Sequence, residues 1–449
     1  MGGYHGTGVG EQPGAPIEGE PMKKVGFAIT PILVFILFSS SCTGPAVRTP
    51  AVGTPAVKTA EAPAPAETAV VETPAAPAPN PAAQPREWVA PAVDMNPPPA
   101  ARWATEWKKG RPLPVPLAGL RSVTVGKRVY VIGGITGKDA LGVRDVLVTT
   151  VEKGGKMSPW RKLAPLPAPV AFGSAVLAAG RIYYLGGSSR DGMQNIYDTA
   201  WSAKVKKDGS LEAWRTEAAL PTRLMNHSAA ELGGTIYILG GFNGQDYTAS
   251  LFMASIGPDG RLGEWRTSPN RYMHRVGRAG LAAVPGSLVA MGGVWSDSQG
   301  IHSSSLVMRG TPGPDGDIAE WIDEGFKVFS YPLRFSLGEQ AVAADAHFIY
   351  MFGGSNSDGS GVPTVAAGWL NPRTEKLTRW QAGPDLPLWQ KVGPALKARV
   401  FNCAAAVTGD AAVVMGGFIF VREPVSTTWV MPLGAYEEPA WLRKRSERR

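Results

Sequence analysis

Two cysteines and five histidines in 449 residues leave little for the commonest metal and redox chemistries. Two thiols cannot build a disulfide-rich scaffold or a cysteine-based zinc cluster. His5, His227, His274, His302 and His347 show no HExxH, paired-His or Cys/His spacing. No P-loop, nucleophile elbow or dinucleotide fingerprint occurs either. The sequence therefore predicts no metal, no cofactor and no catalytic residue. Helical periodicity is also missing from the body of the chain. The 44% hydrophobic content and 18% charge exclude disorder of the whole. Glycine and proline are in excess: 55 and 40 residues, about a fifth of the chain where roughly 12% is usual.

Part of the proline belongs to the N-terminal region. Residues 1–21 contain no Lys or Arg; then Met22-Lys23-Lys24 opens an apolar run from Val25 to Phe38, closed by Ser39-Ser40-Ser41-Cys42. A basic start, a short apolar core and small residues describe an export signal. The run is shorter than the ~20 residues of a membrane span. Met22 is the better start, since it puts the lysines where a signal needs them. Residues 43–100 are rich in Ala, Pro and Thr, with 14 prolines between Gly44 and Ala100. Such a segment buries no core and reads as an extended tether.

The remainder repeats. Glycine pairs end apolar runs at Gly133-Gly134, Gly186-Gly187, Gly240-Gly241, Gly292-Gly293, Gly353-Gly354 and Gly416-Gly417, in steps of 53, 54, 52, 61 and 63 residues. Trp107, Trp160, Trp214, Trp265, Trp321 and Trp380 recur in phase. Within one repeat, "AFGSAVLAAG", "RIYYLGG", "DTAWSAKVK" and "SLEAW" read as four short strands, the last after an Asp-Gly turn. Six such repeats predict an all-β, six-bladed propeller over 101–435, with a basic tail at 436–449. The ring needs an outer strand for its last blade. The strand around Trp107 is the preferred donor, because "WKKGRPLPVPL" matches "WRKLAPLPAPV"; Trp441 is the competitor.

These residues resemble the kelch-repeat family, in which an apolar strand ends in Gly-Gly and an aromatic follows at fixed distance. That family includes galactose oxidase, the bacterial N-acetylneuraminate epimerase and many interaction proteins, so the resemblance implies the fold and leaves the activity open. The copper chemistry of galactose oxidase needs a Cys–Tyr link and two histidines. Cys403 is the one cysteine of the repeats, and it falls in an innermost strand. The signal in turn resembles that of bacterial lipoproteins, which implies lipidation of Cys42 and, through Thr43, an outer-membrane address; Ser39 departs from the usual leucine.

Repeat phase also nominates a site. Counting back 17 residues from each first glycine gives Arg223, Arg275 and Arg399, with Arg334 displaced by two. Guanidinium forks suit carboxylates and phosphates, and arginines here also suit bonds to neighbouring backbone. The loops after Gly-Gly carry Asp139, Asp191, Asp246, Asp297 and Asp358 beside Asn243, Tyr247, Trp295 and Asn356. Turns use these residues anyway. The expectation is one channel mouth of mixed charge with an aromatic rim.

The net charge of +8 divides unevenly. Residues 101–435 carry 35 Lys+Arg against 26 Asp+Glu, the tail five against three, and the first 100 residues five against eight. The surplus lies on the propeller. An exported protein rarely meets nucleic acid, and no basic helix or RNA motif supports that partner. The expectation is an envelope binding module, held to the membrane by its lipid anchor, for an unidentified protein or an anionic glycan. The alternative is a carbohydrate-active enzyme of the sialate epimerase or mutarotase type.

Overall fold

The computed structural model describes residues 99–440, apart from 105, 138, 191–194, 298–299, 305, 325–339, 356–361, 375–376, 388–390, 393–395, 398–400 and 419–422. Among the described residues, six sheets have four antiparallel strands each. Their innermost strands are Arg121–Val125, Ser174–Ala178, Ser228–Leu232, Gly280–Val284, Ala341–Ala344 and Ala404–Val407. Each lies beside the next, and the sixth lies beside the first. This closed ring of sheets is a six-bladed β-propeller. Blades are numbered here in the order of the glycine pairs.

Each blade follows from its residues. The second strands, such as Arg181–Leu185 and Phe348–Phe352, are rich in β-branched and aromatic residues, and these two are buried along their whole length. Innermost strands alternate instead: Ser174–Ala178 and Gly280–Val284 bury every other residue, because one face packs between sheets and the other borders the channel. Blade six is composite. Lys108–Lys109 pairs with Thr428–Pro432, Lys108 opposite Val430, and supplies its outermost strand. Trp103 bridges Leu433 one turn earlier. Trp441 lies outside the described residues.

The repeated glycines and tryptophans sit at blade junctions. In blades one, two, three and six the second glycine donates its N–H to a lead-in carbonyl of the following blade: Gly134 to Val170, Gly187 to Leu224, Gly241 to Val276 and Gly417 to Leu117, at 2.7–2.9 Å. The first glycine has no room for a side chain there. A Cβ on Gly240 would stand 2.0 Å from the Val276 carbonyl oxygen, at φ +63°. Only a residue without Cβ accepts both constraints. The indole N–H of Trp160, Trp214 and Trp265 donates to Arg111, Ala164 and Ala218 of the preceding blade at 3.0 Å. Trp107 donates to Pro384 at 2.8 Å. Each acceptor lies four residues beyond the previous tryptophan. Trp321 makes an edge contact with Tyr272 instead, and Trp380 is buried.

Between blades two and three lies a charged junction. Glu217, 6% exposed, accepts from Ser202 Oγ, from Arg215 Nε and, at 3.1 Å, from the Leu262 N–H. Burial opposes its charge, but these donors outweigh it and hold the carboxyl below its ordinary range.

Candidate functional site

The channel opens at the Gly-Gly face. Its upper part is a cavity of about 150 Å³ lined from all six blades, and below it lies a cavity of about 290 Å³ lined by Ala, Val and Leu together with Ser122, Thr124 and Glu231. The polar groups of the upper cavity are Arg121, Asn226, His227, Arg278, Gln340 and Asn402, with serines beneath them.

Backbone geometry places these groups. Gly119, Phe172, Asn226, Arg278 and Asn402 occupy one position of the repeat, and all have φ between 53° and 62°. Four of these N–H groups donate to the carbonyl of the counterpart one blade back: Gly119 to Asn402, Phe172 to Gly119, Asn226 to Phe172 and Arg278 to Asn226, at 2.7–3.0 Å. The left-handed turn aims the N–H around the ring, and asparagine tolerates it best after glycine. A second tier reinforces the first. Ser174 Oγ donates to the His227 carbonyl at 2.9 Å, and Arg121 Nε to the Gly173 carbonyl at 2.5 Å.

His227 is 3% exposed. Among the described residues neither ring nitrogen has a hydrogen-bond partner of normal geometry. Burial, then the nearby Arg121 cation, pull its pKa down to about 3, against the opposite pull of the Leu185 carbonyl. The ring is a neutral wedge packed against Gly186, with the His227 Cβ against Gly241. Gln340 Nε2 donates to the Met291 carbonyl at 2.6 Å.

Those residues nominated by repeat phase that are described lie outside the channel lining. Arg223 and Arg275 are exposed and outside the channel lining. Arg275 pairs with Asp246, so these two form one ion pair on the Gly-Gly face. Asn243 is a turn residue whose Oδ1 accepts from the N–H groups of Gln245 and Asp246, both at 2.9 Å. Tyr247 is buried, edge-on to Phe242. Trp295 lies in the hairpin that follows the glycine pair of blade four, Val294–Asp297 with Gly300–Ser303. The imidazoles of His274 and His302 both stack on it, at 5.8 and 4.2 Å. Asp297 ends that first strand, and Asp139 is an exposed loop residue. Arg334, Arg399, Asp191 and Asp358 fall outside the described residues, as do Asn356 and Cys42.

The channel-lining cations are Arg121 and Arg278, which phase counting overlooks. Arg121 precedes its first glycine by 12 residues and Arg278 by 14, so they share no repeat position. Cys403 is buried at the start of the last innermost strand. No group of three or more His, Cys, Asp or Glu side chains able to hold a metal occurs among the described residues.

The kelch family profile, described as "Kelch motif", matches residues 223–253, the core of blade three. Similar proteins include kelch repeat and BTB domain-containing protein 12 of Danio rerio, 30% identical over 32% of this chain and 24% of that protein. Beta-scruin of Limulus polyphemus is 27% identical over 32% of the chain and 16% of its own length. Kelch-like protein 33 of Homo sapiens is 31% identical over 32% and 26%. The matched region thus spans about a quarter or less of these relatives. Six four-stranded blades, junctional Gly-Gly pairs and these matches define the molecule as a kelch-repeat β-propeller. This class generally serves as a protein-interaction module.

Proposed function

We propose that this protein is an exported, lipid-anchored binding module of the cell envelope that takes an anionic partner, protein or glycan, at the Gly-Gly face of its propeller. The observation behind this is the pairing of Arg121 and Arg278 with Asn226, Gln340 and Asn402 around one concave mouth. Guanidinium groups beside amides suit carboxylates, and a concave site desolvates them enough to give specificity. The export and anchor parts rest on the sequence from Met22 to Cys42.

Two measurements test the reading. Titration of an acidic peptide and of N-acetylneuraminate into the wild-type chain should give binding that Arg121→Gln plus Arg278→Gln weakens at least tenfold. Equal affinities for the wild type and the double variant refute the mouth as the site, and turnover of the sugar replaces binding by catalysis. Cys42→Ser should release the protein from membranes washed with about 1 M salt, which removes charge-driven contacts; retention after that wash refutes the anchor.

A further inference from the structure

The chain ends of the propeller meet on the face opposite the Gly-Gly mouth. The Gly434 N–H donates to the Arg102 carbonyl at 2.8 Å, and Trp103 bridges Leu433. Arg102 reaches Asp345 at 3.5 Å, in the turn between the first two strands of blade five, and donates to the Gly409 carbonyl, in the matching turn of blade six. The Ala101 N–H donates to Gln381 Oε1 at 2.7 Å. The tether sequence therefore joins the propeller at the turn face, beside blades five and six.

That same face is electrically divided. The turns of blades one and two, residues 126–128, 151–161, 179–181 and 205–215, carry nine Lys/Arg and three Asp/Glu. The equivalent turns of blades three and four, 233–235, 256–266, 285–287 and 311–321, carry two and five. In the basic sector Lys127, Lys153, Lys156, Arg161, Lys206 and Lys207 are exposed. Turn docking draws them together. Arg128 donates to the Lys207 carbonyl at 3.1 Å, Arg161 to the Asp208 carbonyl at 3.4 Å, and Lys127 pairs with Glu152 at 3.3 Å. Lys127 also reaches Asp410 of blade six at 3.7 Å, so the basic sector adjoins the place where the tether arrives.

We infer that this sector, centred on Lys153, Lys156, Lys206 and Lys207, docks on an anionic lipid surface, which turns the Gly-Gly mouth away from the membrane. The inference deepens the anchored reading of the proposed function and rests on it. A tether ending beside the sector brings it repeatedly to the bilayer. Lysines on turns can reach anionic head groups while staying hydrated, each strengthening binding about fivefold near the surface. The acidic sector of blades three and four predicts a tilted approach.

The test uses the full chain carrying Cys42→Ser, which separates the face from the anchor. It should sediment with phosphatidylcholine vesicles containing phosphatidylglycerol and stay in solution with phosphatidylcholine alone. Salt at about 1 M should release it. Replacing Lys153, Lys156, Lys206 and Lys207 by Ala should weaken sedimentation by about six-hundredfold, at about fivefold per lysine. Asp259→Asn with Asp315→Asn should not weaken it. Three results overturn the inference: no binding to anionic vesicles, binding that the four lysine changes leave intact, or binding lost only when residues 442–449 are removed. If vesicle binding holds while Cys42→Ser stays on cell membranes through a wash at about 1 M salt, the lipid anchor fails and the docking face stands.

Discussion

The backbone N–H of Arg278 donates to the carbonyl of Asn226 at 2.7 Å, across the junction of blades three and four. The same bond joins Asn226 to Phe172, Phe172 to Gly119, and Gly119 to Asn402. The channel rim is thus a head-to-tail chain of peptide groups from equivalent left-handed residues. It holds Asn226, Arg278 and Asn402 at the mouth by their backbones, independently of any side-chain contact.

Glycine substitutions separate conformational strain from crowding. Gly240 and Gly234 have φ of +63° and +79°, but a Cβ on Gly234 meets nothing within 4 Å. Gly234→Ala should cost about 1–2 kcal/mol from its backbone alone. Gly240→Ala adds the collision with Val276 and should cost at least about 3 kcal/mol. Urea midpoints of the two variants decide this; equal losses would refute the junction argument.

Replacing tryptophan by phenylalanine keeps a ring but removes the indole N–H. Trp214→Phe, Trp265→Phe and Trp107→Phe should each lose about 0.5–1.5 kcal/mol, the net value of one hydrogen bond. Trp107 lies 277 residues from its acceptor Pro384, yet its variant should behave like the other two. A Trp107→Phe chain as stable as wild type in denaturant unfolding would show that the closing strand contributes little.

His227 sets an acid limit. Its folded pKa of about 3 lies below the unfolded value near 6.5. The unfolded chain therefore binds the proton first. The stabilising effect is complete above about pH 6.5 and falls with pH down to the folded pKa. The slope from this residue approaches about 1.4 kcal/mol per pH unit. His227→Gln should flatten the wild-type decline between about pH 6 and pH 5, where carboxylates remain ionised. Parallel stability curves for the two proteins would contradict the neutral-wedge assignment.

Glu217 is the charged group whose loss should be felt most. Glu217→Ala strips partners from Arg215, Ser202 and the Leu262 N–H together. The expected cost is about 2–3 kcal/mol, since the buried hydroxyl and N–H lose their acceptor while the part-exposed Arg215 keeps water and the Gly260 carbonyl. Asp208→Ala, on an exposed turn, should stay within about 1 kcal/mol. Comparable thermal shifts for the two variants would show that the junction network is not specially stabilising.

Much of the fold was legible because its signals are local. The glycine pairs mark second-strand ends, and "VYVI", "IYYL" and "TIYIL" carry the apolar run of a buried strand. The site was less legible. Arg223 and Arg275 share a repeat position but stand on the outer part of the Gly-Gly face. Arg121 and Arg278 share no position but line one cavity. Trp295 read as an aromatic rim, yet two imidazoles stack on it, an arrangement that depends on a hairpin and a lead-in loop meeting in space.

By itself the sequence determined the repeat, the four-strand content of each blade and the scarcity of metal ligands, since each is written in local spacing and composition. Tertiary structure decided which residues face the channel, which donor meets which neighbouring blade, and that both ends of the propeller meet on the turn face. These depend on contacts between residues some 50 to 300 positions apart, and closing a ring fixes them together where no local pattern can.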